Sequence, residues 1–284
     1  MPRATNIALF LFGTHILLLF FPPIPPDIKG SLWSHLLWIS AVIAAGIAIN
    51  QNWAWVLRAW FSRGVNARLL LTLLCLLIVV AVGRALYVSA YDIFIRFCYE
   101  YGVWEPLSTF LYLASAILLS HSARVQTDAL RRRHLIFMTS LYVFLVLEEV
   151  DYLGLFGGFL PRIDGVYVGA VHDIVDLWGH DLLSPTVITV LFVLTIAILA
   201  ALWRLRYLQP GALLQSLRYP RLLFAITGSA LIVLALSIEA GFIPWAQRMR
   251  EAEELVELTG AICLAAFAID LAAEQWWAFR HASD

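Results

Sequence analysis

The run LLLTLLCLLIVVAVGRALYVSAY, residues 69 to 91, carries one charged side chain, Arg84, in an otherwise apolar stretch. About twenty such residues, wound as a helix rising about 1.5 Å per residue, cross the roughly 30 Å hydrocarbon core of a bilayer. Neighbouring stretches repeat the pattern at 5–22, 31–49, 104–121, 135–153, 184–203, 221–241 and 253–276. The expected fold is therefore all-α: a polytopic transmembrane helix bundle of about eight helices, with residues 1–284 forming a single integral membrane domain. Composition points the same way. Of the residues 62% are hydrophobic and only 14% charged, whereas a soluble domain needs about a quarter charged to cover its surface. The net charge of −1 offers no basic field for nucleic acid, so membrane lipids are the expected surroundings.

Local signals refine the picture. Asn52 to Phe61, with Trp53, Trp55, Trp60 and Arg58, reads as an interfacial segment, because indole rings favour the headgroup level. Ser184-Pro185 is a sound helix start, with serine as N-cap and proline at the first helical position. Asn6 to Phe21 has the polarity of a signal peptide. Pro22, Pro23, Pro25 and Pro26 stand where a small-residue cleavage site belongs, so a retained first helix is expected. Cys75, Cys98 and Cys263 form no CxxC pair, and no structural disulfide is expected.

Orientation follows from the cations, since short loops rich in arginine stay in the cytoplasm. Arg58, Arg63 and Arg68, then Arg124, Arg131, Arg132 and Arg133, then Arg204, Arg206, Arg218 and Arg221 fall in alternate connections, eleven in all. The other connections carry five: Lys29, Arg96, Arg162, Arg248 and Arg250. Both termini are then expected in the cytoplasm.

On that topology the acids gather at the extracytoplasmic side. Glu105 opens the 104–121 helix, followed at helical spacing by Ser108 and Thr109, an arrangement that serves equally as a cap or as one wall of a polar site. Glu148, Glu149 and Asp151 close the 135–153 helix, the end at which the helix dipole disfavours negative charge, so they need a counter-ion from elsewhere. Arg84 can supply one. Glu239 lies near the outer end of its helix. Glu251, Glu253 and Glu254 open the last helix, where the dipole alone accounts for them. Glu257, one turn deeper on an apolar helix, is better read as lining a bundle interior.

Between the 135–153 and 184–203 helices, His172, Asp176 and His180 recur every four residues and share a face if the chain is helical there. Segment 168–180 is read as a short amphipathic piece at the outer interface or a re-entrant one. His180, Asp173 and Asp181 read as solvated loop residues. Asp270 reads as a residue near the opposite interface, and His121 and His134 as flanks of an arginine-rich loop with no special role.

Three stretches together carry a resemblance: Tyr101-Gly-Val-Trp-Glu-Pro-Leu-Ser-Thr, Leu147-Glu-Glu-Val-Asp-Tyr-Leu-Gly with the later Val171-His-Asp, and Glu253-Glu-Leu-Val-Glu-Leu-Thr-Gly. Over roughly residues 97–273 the chain resembles a group of uncharacterised bacterial multipass membrane proteins. That resemblance implies a multi-pass protein of the bacterial cytoplasmic (inner) membrane. A more distant likeness is to the membrane hydrolase superfamily that includes the alkaline ceramidases, and it implies metal-dependent chemistry, although that superfamily's HxxxH pair is absent here.

Several carboxylates cannot all ionise in a low-dielectric pocket without a cation, and a divalent metal with one imidazole neutralises them. The expected ligands are Glu105, Glu149, His172 and Glu257, with Asp151 or Asp176 as general base and Glu148, Arg84, Ser108 and Glu254 in support. With mostly oxygen donors, Mg, Mn or Ca suits the site about as well as Zn. The leading expectation is a metal-dependent hydrolase or transferase acting on a lipid-like substrate. A proton- or cation-coupled transporter would use the same acids, and a non-catalytic membrane assembly subunit would use them to bind a partner. No GxSxG, HExxH, P-loop or CxxCH motif occurs, so nothing signals nucleotide, flavin or haem.

Overall fold

The computed structural model describes residues 32–98, 103–149, 185–207, 216–239 and 253–282, together with positions 11, 14, 211, 214, 242 and 243. The 168–180 segment lies outside them, and so does the first expected helix, 5–22, apart from Leu11 and Thr14. Among the described residues every regular element is helical: α1 Leu32–Phe61, α2 Val65–Ser89, α3 Tyr91–Cys98, α4 Trp104–Val125, α5 Ala129–Glu149, α6 Pro185–Arg204, α7 Arg221–Glu239 and α8 Glu253–Ala282.

Among the described residues five segments are long and apolar enough to cross a membrane: Ile39–Phe61, Val65–Ser89, Trp104–Val125, Arg221–Ile238 and Glu253–Ala278. In α6 the apolar stretch, Ile188–Arg204, is shorter. The triplet Arg131–Arg133 and the pair Glu148-Glu149 bracket the apolar part of α5.

The bundle is organised around α8, which packs against α1, α2, α4 and α7, while α5 packs on α4. Small residues explain why α8 sits at the centre. Ala261, Ala265, Ala268, Ala272 and Ala273 are all buried, and they let neighbouring helices come close. Helices in lipid gain nothing from hiding apolar surface from one another, so close packing of small side chains holds them together. A Cβ added at Gly228 of α7 would stand 2.8 Å from Leu264 Cγ, and one at Gly260 would stand 3.2 Å from the Gly228 carbonyl oxygen. The two backbones cross where neither carries a side chain. By contrast α2 buries only Arg68, Thr72 and Gly83 and presents leucines and valines outward nearly all round, the surface of a lipid-facing helix.

Three boundaries differ from expectation. The tryptophan-rich segment 52–61 is no separate interfacial piece but the last third of α1, whose 30 residues make a rod about 45 Å long. No proline interrupts it, and Leu57 within it is fully buried in the core. The start of α5 lies at Ala129, six residues before the first expected position, because Asp128 caps it: its Oδ1 accepts from the backbone N–H of Leu130 at 2.8 Å and of Arg131 at 3.1 Å. The short helix α3, unforeseen, follows a break at Ala90, whose backbone leaves the helical region (φ −152°, ψ 60°).

The arginine-bearing connections gather at one end of the bundle, where a buried ion network replaces the isolated Asp270 expected there. Asp270 is paired with Arg68 of α2 and, at 3.7 Å, with Arg221 of α7, and Arg221 Nη1 also reaches Glu274 at 2.5 Å. Trp60 Nε1 donates to the same Asp270 carboxylate at 3.1 Å. Two residues beyond Asp270, Ser122 donates to the Ala272 carbonyl at 3.0 Å. His121 stacks flat on Trp53 with ring centroids 4.6 Å apart and shares a hydrogen bond with Asn50 Oδ1, so it packs α4 on α1 as a structural residue.

Candidate functional site

At the opposite end α4, α5 and α8 bring acids together. On α4 the buried face runs Glu105, Ser108, Thr109, Tyr112, positions i, i+3, i+4 and i+7 of one stripe. On α5, Leu135, Met138 and Tyr142 set the buried face and Glu149 follows Tyr142 by two turns. On α8, Glu254 and Glu257 are one turn apart, above Leu258 and Ala261.

The result is a cluster. The side chains of Glu149 and Glu257 approach each other, and Glu105 and Glu254 stand within electrostatic reach of Glu149. Glu149 keeps some accessible surface, but its carboxyl group lies deep among protein atoms. Glu105 is buried as well.

The supporting residues are placed as follows. Ser108 is fully buried and donates to the Trp104 carbonyl at 3.2 Å, and Thr109 donates to the Glu105 carbonyl at 2.9 Å. Both hydroxyl protons are thus committed to their own helix, which leaves only oxygen lone pairs for a ligand. Glu148 is half-buried, one residue before Glu149 and so on another face of α5. Arg84 is exposed on α2 and forms no ion pair with these acids among the described residues. Asp151, Asp176 and His172 lie outside the described residues, and so does the side chain of Glu239.

Two further groups belong to this end and were not singled out in the sequence. Tyr112 is 1% exposed, stands within electrostatic reach of Glu149 and Glu257, and its hydroxyl has no hydrogen-bond partner among the described residues. Trp104, also buried, packs on Phe97 and Leu258, and its indole Nε1 likewise has no partner. A buried donor without a partner costs about 1–3 kcal/mol, and such groups collect where a ligand or ordered water completes the bonding. The spacing Glu105-Ser108-Tyr112 is the signal that could have found the tyrosine. Its ring companion Tyr142 is different, because that hydroxyl donates to the Leu264 carbonyl of α8.

As a donor set, three glutamates from three helices suit a hard cation. Among the described residues, however, no group of three His, Cys, Asp or Glu side chains is gathered closely enough to hold a metal ion. A closed coordination sphere would therefore need donors from the stretch that contains His172. Compared with family models, with curated proteins and with solved structures, the chain matches none of them.

Proposed function

We propose that the acidic end of the bundle is a cation site and that the protein is a metal-dependent hydrolase or transferase acting on a lipid-like substrate at the extracytoplasmic face of a bacterial inner membrane. The observation that supports this most is the convergence of Glu105, Glu149 and Glu257 from three separate helices. Local helix electrostatics do not bring acids together from three helices. A buried cluster of this kind needs positive charge from a metal, from protons or from both.

In this reading Glu105, Glu149 and Glu257 hold the cation together with His172. A divalent ion held there supplies Lewis-acid polarisation of an ester or phosphoryl oxygen. The Tyr112 hydroxyl, already buried and unpartnered, donates to the oxygen on which charge develops. Asp151 or Asp176 accepts the proton of the attacking water.

The approach of Glu149 to Glu257 favours a second reading, a proton-coupled carrier in which this pair takes up and releases a proton. Elemental analysis of protein purified without chelators separates the two. Metal in the wild type, lost in Glu149→Ala and His172→Ala, supports the enzyme and these ligands. A metal-free wild type sinks it. A proton flux in reconstituted vesicles, abolished by Glu257→Gln, establishes the carrier.

A further inference from the structure

A second polar site lies at the other end of the bundle. There a cavity of about 100 Å3 is bounded by Arg131 and His134 of α5, Ser216 and Arg218 ahead of α7, and Glu274 and Gln275 of α8. One water needs only about 10–15 Å3 of such space, so the cavity has room for a polyatomic group.

Its walls are donors. Arg131 and Arg218 are exposed guanidinium groups, and among the described residues the only ion pair formed by Arg131 is a loose one with exposed Asp128 at 4.0 Å. Gln275 accepts from the Gln126 amide at 2.7 Å, which leaves its own NH2 without an acceptor among the described residues. His134 is 4% exposed; its Nε2 meets Ser216 Oγ at 2.7 Å, and its Nδ1 has no partner. In the tautomer in which the serine hydroxyl donates to Nε2, the ring proton sits on Nδ1 and adds one more donor. The one acid in the wall, Glu274, is already engaged by Arg221 at 2.5 Å. The charge left uncompensated is positive.

We infer that this cavity binds a phosphate group, presented by the headgroup of an anionic membrane lipid or by a soluble phosphate compound. Planar guanidinium groups match phosphate oxygens in pairs, and basic pockets between membrane helices at headgroup depth bind acidic lipids. The arginine bias assigns this end to the cytoplasm, the side whose leaflet carries anionic headgroups. The site is independent of the acidic end and stands whether or not that end holds a metal.

The test uses the full chain in nanodiscs of phosphatidylcholine, with or without phosphatidylglycerol. Native mass spectrometry counts retained phosphatidylglycerol, and calorimetry follows inorganic phosphate added to the phosphatidylcholine discs. The double variant Arg131→Gln/Arg218→Gln is expected to weaken whichever ligand binds at least tenfold, and Gln275→Leu to weaken it less. Arg63→Gln, an exposed arginine at the same end but outside the cavity, is expected to change nothing. Retention of phosphatidylglycerol lost in the double variant identifies a lipid, and phosphate binding lost in it identifies a soluble ligand. Binding of neither ligand, or equal loss in Arg63→Gln, overturns the inference. Unchanged thermal stability in Gln275→Leu shows that its loss of binding is not a loss of fold.

Discussion

The two ends of the bundle bury acids in opposite ways. At the arginine-rich end Asp270 meets two guanidinium groups and an indole N–H, and Glu274 meets one of the same arginines. At the acidic end Glu149 meets Glu257, with Glu105 and Glu254 nearby. A network of opposite charges neutralises its buried acid and holds helices in place. A gathering of like charges is unfavourable for the fold taken alone, and such sites persist where they serve binding or chemistry. Burial by itself does not separate a structural acid from a functional one; the partner does.

The largest expected effect tests that contrast directly. Asp270→Ala leaves Arg68 and Arg221 buried without their carboxylate and is expected to destabilise the protein by about 3–5 kcal/mol, measured as a lowered unfolding midpoint in detergent. Glu149→Gln and Glu257→Gln should leave that midpoint unchanged or raise it, since an amide can make the same contact with no charge to neutralise. If the glutamine variants unfold as readily as Asp270→Ala, the acidic end is structural and the contrast collapses.

Gly228→Val comes next. A side chain there collides with Leu264 and Cys263 across the α7–α8 crossing, and about 1–3 kcal/mol of overpacking is expected. The paired tyrosines sharpen the comparison further. Tyr142→Phe gives up the hydrogen bond to the Leu264 carbonyl and should cost about 1 kcal/mol. Tyr112→Phe removes a hydroxyl that bonds nothing among the described residues, so its stability cost should be near zero while its turnover falls. Equal stability losses in the two variants would show that the Tyr112 hydroxyl is already satisfied.

The smallest effect is at the α5 cap. Backbone N–H groups of Arg131 and then Leu130 hold the Asp128 carboxyl below its ordinary range. A lowered folded pKa means that the cap contributes fully above the unfolded value of about 3.9 and fades as pH falls through the lower folded value. Asp128→Ala should therefore cost roughly 0.5 kcal/mol at neutral pH. The two unfolding curves should converge in acid, which a thermal series against pH will show.

Hydropathy made the helices legible, because lipid-facing segments such as Leu69–Ser89 need only to be long and apolar. It also placed Glu105, Glu149 and Glu257 at one end, since depth follows from position along a span. Side-chain partnership was not legible. Nothing in the local pattern of α8 says that Asp270 lies against Arg68 and Arg221, which are 202 and 49 residues away in the chain. For the same reason Arg84, an isolated cation in an apolar helix, looked like a counter-ion, but it lies exposed on α2 and joins none of the acids among the described residues. The boundary of α1 was missed because tryptophans mark an interface whether or not the helix ends there. His134 was passed over because its significance depends on Ser216 and a cavity wall drawn from three separate elements.

The central place of α8 has a consequence for biogenesis. It leaves the ribosome after all the other described helices, yet it carries both Glu257, which completes the acidic end, and Asp270, which neutralises Arg68 and Arg221. Until α8 inserts, the earlier helices hold two arginines without their anion and a glutamate without its neighbour. Such an intermediate exposes the polar groups within the membrane that chaperones and membrane proteases recognise, so arrival of the last described helix is the step that turns a collection of spans into a protected protein.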